Sequence, residues 1–233
     1  MSVSKLDKRK SWGELTHQEQ EIWVDRLIDT QIPDDWHDDV LQDLASKLEE
    51  KGWEGVDLNF SGFWSQGDGA SFEADSIDLQ RIVEHYKISV DEDRYFGPDT
   101  SEGLLHPDVA AELLQLEEMG LNMGLTSLSS LAIQHVSATI RRNDNWHSHE
   151  MTCSIDWYFE AEEMEPQEEE ILELAESIVM KIMDRVETHR IEECKSAYRE
   201  IEDCWEHHVE EINGGASSEW NEWRAEHFTA DPF

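Results

Sequence analysis

The stretch Ser61-Gly62-Phe63-Trp64-Ser65-Gln66-Gly67-Asp68-Gly69-Ala70-Ser71-Phe72 constrains the fold most, because it sets a glycine-rich reversal between two alternating runs. Before it, Val56, Leu58, Phe60 and Trp64 share one parity against Asp57, Asn59 and Ser61. After it, Ala70, Phe72 and Ala74 alternate with Ser71 and Glu73. A β-hairpin with one buried face is expected. Gly67-Asp68-Gly69 supplies the left-handed φ angles of a tight turn, since glycine lacks a Cβ and aspartate tolerates that region.

A second hairpin is expected downstream. Val136, Ala138 and Ile140 alternate with His135, Ser137, Thr139 and Arg141, and Met151, Cys153, Ile155, Trp157 and Phe159 alternate with polar neighbours, with Asn143-Asp144-Asn145 as the turn. Two hairpins with one apolar face each imply an antiparallel sheet that helices must cover.

Helical signals surround these strands. Thr16 and Glu19 form a capping box ahead of the stripe Ile22, Trp23, Leu27 and Ile28, which ends at Pro33. Asp34 or Asp35 opens a second helix carrying Val40, Leu41, Leu44 and Leu48, closed by Gly52. Asp75 or Ser76 opens a short third one with Ile77, Ile82, Val83 and Tyr86. Residues 89–107 read as an acidic loop, and Pro107 starts a further helix ending near Gly120 or Gly124.

Beyond Pro166 the apolar period is helical through Ile171, Leu174, Ile178, Ile182, Val186, Ala197, Ile201, Trp205 and Ile212. An unbroken helix over 166–212 would reach roughly 70 Å at about 1.5 Å per residue, so a break near residues 189–193 is expected. Gly214-Gly215 then ends it, and a last short helix bears Trp220, Trp223 and Phe228. The expected architecture is α+β. Residues 1–11 form a flexible basic lead-in, 12–165 a domain with a four-stranded antiparallel sheet from two hairpins, and 166–233 an acidic helical extension.

Charge bounds the function. The 55 acidic residues against 18 basic ones give a formal net charge of −37, which disfavours direct nucleic-acid binding because phosphate neutralisation needs clustered Lys and Arg. Three readings fit the acidity: a solvated or salt-adapted surface, attraction of a basic protein, or imitation of a nucleic-acid backbone. Cys153, Cys194 and Cys204 are odd in number and lack a CxxC pair, so reduced thiols are expected rather than a disulfide framework. No apolar run approaches a membrane span, and Met1-Ser2-Val3-Ser4-Lys5 lacks a signal-peptide core, so a cytoplasmic location is expected.

The glycine-rich run, Trp146-His147-Ser148-His149-Glu150-Met151 leading to Ile155-Asp156, and a long acidic helix with a late Tyr198-Arg199 and a tail near Phe228-Thr229 resemble a family of small uncharacterised bacteriophage proteins, sometimes labelled antitoxin-like. The similarity spans roughly residues 23–228. It implies a phage-type origin and action inside the host cell, with no assigned activity. This chain is more acidic than such proteins usually are, which makes its charge a specialisation.

Each candidate site has a plain structural explanation beside it. Asp68 is a possible metal ligand or acid/base group, but turn chemistry explains it and too few oxygen ligands surround it for a calcium loop. His147 and His149 form an H-x-H pair suited to zinc or iron, yet they share the parity of the apolar face and His135 does not. Cys204 with His207 or His208, three or four apart, offers two ligands on one helical face, with Cys194 and His189 upstream, too few for a closed zinc site. No cofactor is expected.

The acidic stretch 160–226 holds 22 acidic and 6 basic residues, and its proposed contacts are Glu168, Glu169, Glu170, Glu173, Glu176, Glu192, Glu193, Glu202, Glu206, Glu210 and Glu211, with Trp220 and Trp223 either as aromatic anchors or packed back onto the long helix. The expectation is a non-enzymatic protein that binds and inhibits a basic or nucleic-acid-binding host protein, with no direct nucleic-acid or membrane contact. A homodimer through the long helix is a further option. The alternatives are a metal-dependent enzyme built on His147, His149 and Asp68, and an acidic structural subunit of a larger complex.

Overall fold

The computed structural model describes residues 6, 9–65, 67–88, 111, 112, 114, 115, 133–143, 148–159 and 176–227. They form four helices, α1 (His17–Gln31), α2 (Asp38–Lys51), α3 (Leu79–Tyr86) and α4 (Glu176–His227). Six strands accompany them: β1 (Trp53–Glu54), β2 (Asp57–Phe60), β3 (Ala70–Glu73), β4 (Ser76–Ile77), β5 (Val136–Arg142) and β6 (Cys153–Phe159). The α+β class stands. The loop expected at 89–107, most of the helix expected from Pro107, the start of the long helix after Pro166 and the Phe228 tail lie outside the described residues.

The chain divides into two compact units, one of residues 1–41 with 199–233 and one of residues 42–198. Both boundaries fall inside helices, and the boundary expected at residue 166 lies outside the described residues. The terminal stretch of α4 shares a core with α1: Leu6, Leu15, Trp23, Leu27, Ile212, Ala216 and Trp220 are buried together.

In this first unit the start of α1 follows the sequence signal. Thr16 Oγ1 accepts from the Glu19 amide at 3.3 Å, and Glu19 Oε2 accepts from the Thr16 amide at 2.8 Å, satisfying two amides the first helical turn leaves open. Lys10 Nζ, 2.9 Å from Glu19 Oε1, and these bonds lower the Glu19 carboxyl from 4.5 to about 2. Because the folded value is depressed, this cap stabilises fully above pH 4.5 and is lost as the pH falls toward about 2. Acid titration of helix content should show a smaller loss over that window for Glu19→Gln than for the native chain.

In the second unit, α2 buries Leu44 and Leu48 and ends at Gly52, whose φ of 114° and the Asp78 carbonyl 2.9 Å from a would-be Cβ both require glycine. The first hairpin keeps one register throughout, from Trp53 opposite Ile77 to Phe60 opposite Ala70. The short helix starts later than expected: Ser76 and Ile77 pair with β1, and Asp78 caps α3 by accepting from the Arg81 amide at 3.0 Å. In β5, Val136, Ala138 and Ile140 are buried as their alternation predicts. Asp144 and Asn145 of the expected turn lie outside the described residues.

The four-stranded sheet does not form as one ladder. The strands make three two-stranded pairs, β1 with β4, β2 with β3 and β5 with β6, and the two hairpins meet in one bridge where Ala74 and Ile140 exchange bonds of 3.2 and 3.0 Å. Two residues on, the Arg142 amide donates to the Glu73 side chain at 3.2 Å instead of a strand carbonyl, so pairing stops there.

Two expectations about the long helix are also corrected. α4 runs 52 residues with no break at 189–193. Val186, Arg190, Cys194, Ala197 and Ile201, spaced four, four, three and four apart, are all buried, so the packed face continues through the expected break. Gly214 and Gly215 lie within the helix, because buried Ile212, Ala216 and Trp220 hold it on both sides of them. Each glycine costs about 1 kcal/mol relative to alanine there, less than the burial of those three side chains returns.

Candidate functional site

The glycine-rich loop of the first hairpin is wider than a tight turn. Gly62 and Gly67 hold positive φ of 65° and 106°. Just after Gly67, Asp68 Oδ2 accepts from the Trp64 amide at 2.7 Å and the Ser65 amide at 2.6 Å. Asp68 is thus committed to closing the loop. Trp64, expected on the buried parity, is 85% exposed, because the chain has left the ladder after Phe60. Gly69 serves close approach: a Cβ there would lie 3.2 Å from both His149 Cα and the Ser148 carbonyl.

His149 is half-buried beside this loop. Its Nδ1 accepts from the Met151 amide at 3.3 Å and its Nε2 lies 3.0 Å from Glu150 Oε2. His147 lies outside the described residues. Of the other ligand candidates, Cys194 is buried, Cys204 is half-buried, and His207 lies 3.6 Å from Glu211. Among the described residues, no group of three or more His, Cys, Asp and Glu side chains is placed to hold a metal ion.

Among the described residues of this unit, Arg190 on α4 is a fully buried charged group. Its Nε and Nη2 donate to Glu187 at 2.8 and 2.6 Å, a fork that matches a carboxylate. Burial alone would push the guanidinium toward neutrality, and Glu187 more than offsets this. Nη1 lies 3.9 Å from Cys194 Sγ, and burial pushes the Cys194 thiol up to about 12. Cys153 is raised for the same reason, so burial disfavours the thiolate at both positions. The sequence signal for Arg190 was its place between Val186 and Cys194 on the apolar stripe with Glu187 three residues before it.

A second internal network removes Glu193 from the acidic surface. Lys51 Nζ lies 2.6 Å from Glu193 Oε2, and Tyr86 donates to Oε1 at 2.8 Å while accepting from Trp53 Nε1 at 3.1 Å. Burial raises the Tyr86 hydroxyl above its ordinary 10. His189, once a ligand candidate, stacks on Tyr86 at 4.3 Å.

The remaining interaction candidates divide by exposure. Glu192, Glu206, Glu210 and Glu211 are exposed on α4 and Glu202 is half-buried. Glu176 is the first residue of α4. Glu168, Glu169, Glu170 and Glu173 lie outside the described residues. Trp220 is fully buried, its ring 5.1 Å from Trp23, so it is core rather than an exposed anchor. Trp223 is half-buried, 5.4 Å from Trp220, with the Arg26 guanidinium 5.4 Å from its ring. In the same unit Trp36 packs 5.2 Å from Trp205.

The model of a protein family described as a domain of unknown function, DUF8835, matches residues 36–211. The chain belongs to that family. The DUF8835 stretch takes in both hairpins, the Asp68 loop, both buried networks and the Trp36–Trp205 pair, and it ends on α4 just before Gly214. No curated protein and no solved structure matches the chain. No helix among the described residues is long and apolar enough to cross a membrane.

Proposed function

We propose that this chain is a non-enzymatic interaction protein of phage type, which binds and inhibits a basic or nucleic-acid-binding host protein inside the host cell. The observation that supports this most is the run of exposed carboxylates on one continuous helix, Glu192, Glu200, Asp203, Glu206, Glu210 and Glu211. Asp203, Glu206 and Glu210 follow one another at three- and four-residue intervals, so they project from one side of α4. With the chain at a formal −37, their field draws in a basic surface and repels nucleic acid. A row of fixed negative charges is also what a phosphate-backbone mimic offers a DNA-processing or defence factor.

The test is charge removal without loss of fold. Glu206→Gln, Glu210→Gln and Glu211→Gln combined should leave the melting temperature nearly unchanged, since each side chain is exposed. Basic proteins captured from host lysate by the native chain should disappear from the eluate of the triple variant. Equal capture by both would remove the acidic helix from the mechanism.

A further inference from the structure

In the unit of residues 1–41 and 199–233, an open groove of about 320 Å³ lies between the end of α1 and α4. Its lining includes Ile32, Pro33, Ile212 and Gly215 on the apolar side, with His208 beside the exposed carboxylates Glu211 and Glu219. No lysine or arginine among its described residues lines it, and Asp34 and Asp35, just after Pro33, are exposed. Gly215 borders this space, and the chain's own packing does not require a glycine there. Gly215 lies inside a helix, where glycine is disfavoured, yet a Cβ placed on it would meet nothing within 4 Å.

We infer that this groove is the docking site for the partner: it receives a large apolar side chain from a short basic segment, whose flanking Lys or Arg residues meet Glu211 and Glu219. The inference rests on the proposed basic partner and adds where and by what chemistry it is held. Charge decides the occupant. A carboxylate-lined groove repels an acidic or phosphate-bearing ligand, and a second copy of this chain would bring its own acidic face against it. An apolar anchor in a small pocket with charged flanks is how a few residues supply most of a contact's affinity.

The experiment is a selection of random dodecapeptides displayed on a carrier, run against the full chain and against Gly215→Leu. Leucine is a better helix former than glycine and its Cβ has open space, so the variant folds, as circular dichroism would check, while its side chain occupies the groove. Peptides selected on the native chain should carry Lys or Arg around a large aliphatic or aromatic residue. Synthesised, they should bind Gly215→Leu about 30-fold more weakly, the loss of a central anchor. Glu211→Gln with Glu219→Gln, both exposed positions, should weaken the same peptides and flatten their salt dependence. Basic peptides that bind Gly215→Leu as tightly as the native chain would overturn the groove and leave the acidic reading standing. Selected peptides with no basic enrichment, or no selection at all, would overturn both. A native dimer that Gly215→Leu dissociates would assign the groove to a second copy and overturn the inference.

Discussion

Replacing Trp220 with alanine is expected to cost about 3–5 kcal/mol and to strip the unit of residues 1–41 and 199–233 of its core. The side chain is fully buried, edge-on to Trp23 at 5.1 Å and stacked on Trp223 at 5.4 Å. Its Nε1 donates to the Lys10 carbonyl at 3.1 Å, so truncation also leaves that carbonyl without its partner. Trp23, whose Nε1 donates to the Ala216 carbonyl at 3.2 Å, would lose packing on one face. Trp220→Phe keeps most of the ring and loses the bond, for a smaller cost of about 1–2 kcal/mol. Trp64→Ala is the control: at 85% exposure it should change stability by no more than about 0.5 kcal/mol. Urea unfolding followed by near-ultraviolet circular dichroism measures all three, and equal midpoints for Trp220→Ala and Trp64→Ala would refute the assignment of this core.

The second large effect concerns Arg190 and is asymmetric. Glu187→Ala leaves a fully buried guanidinium without its carboxylate and should destabilise by about 2–4 kcal/mol. Arg190→Met fills the space with an apolar chain and leaves a carboxylate that is 35% exposed and hydrated, so the cost should be under about 1.5 kcal/mol. Chemical denaturation of the two single variants and the double variant gives the coupling directly. If Arg190→Met proved the more damaging of the pair, the guanidinium would be holding more than Glu187, and the thiol side of the cluster would be the place to look.

What was legible in the sequence was local. Thr16 with Glu19, the alternation of Val136, Ala138 and Ile140, and the glycine at 52 each carry their reason within a few residues, in a cap, a one-sided strand or a backbone conformation. Long-range features were not legible. Whether two hairpins share one ladder depends on where the Arg142 amide finds its acceptor, and it finds the Glu73 carboxylate. The continuity of α4 is not legible in the sequence because a helix of 52 residues exceeds what one unit uses, whereas here its residues belong to two. Gly214-Gly215 has the composition of a helix end, and only the packing of Ile212, Ala216 and Trp220 on α1 overrides it.

The candidate site was legible as composition and incompletely as geometry. The acidity of α4 is plain in the sequence, but helical position alone did not separate exposed Glu206, Glu210 and Glu211 from Glu193, which Lys51 and Tyr86 enclose. Trp220 looked like an anchor from its acidic neighbours and is core because Trp23 and Lys10 claim its two polar and apolar surfaces. Asp68 reads as turn chemistry from its Gly67-Asp68-Gly69 setting, and it spends its carboxylate on two loop amides.

The central claim, recognition of a basic partner by an acidic surface, is tested most directly by the salt dependence of binding. A partner captured from host lysate at low salt would be purified and its affinity for the full chain measured at about 50 mM and about 0.5 M salt, where screening shortens from over 10 Å to a few ångströms. The account predicts a steep fall in affinity with salt. Equal affinity at the two salt concentrations would contradict it.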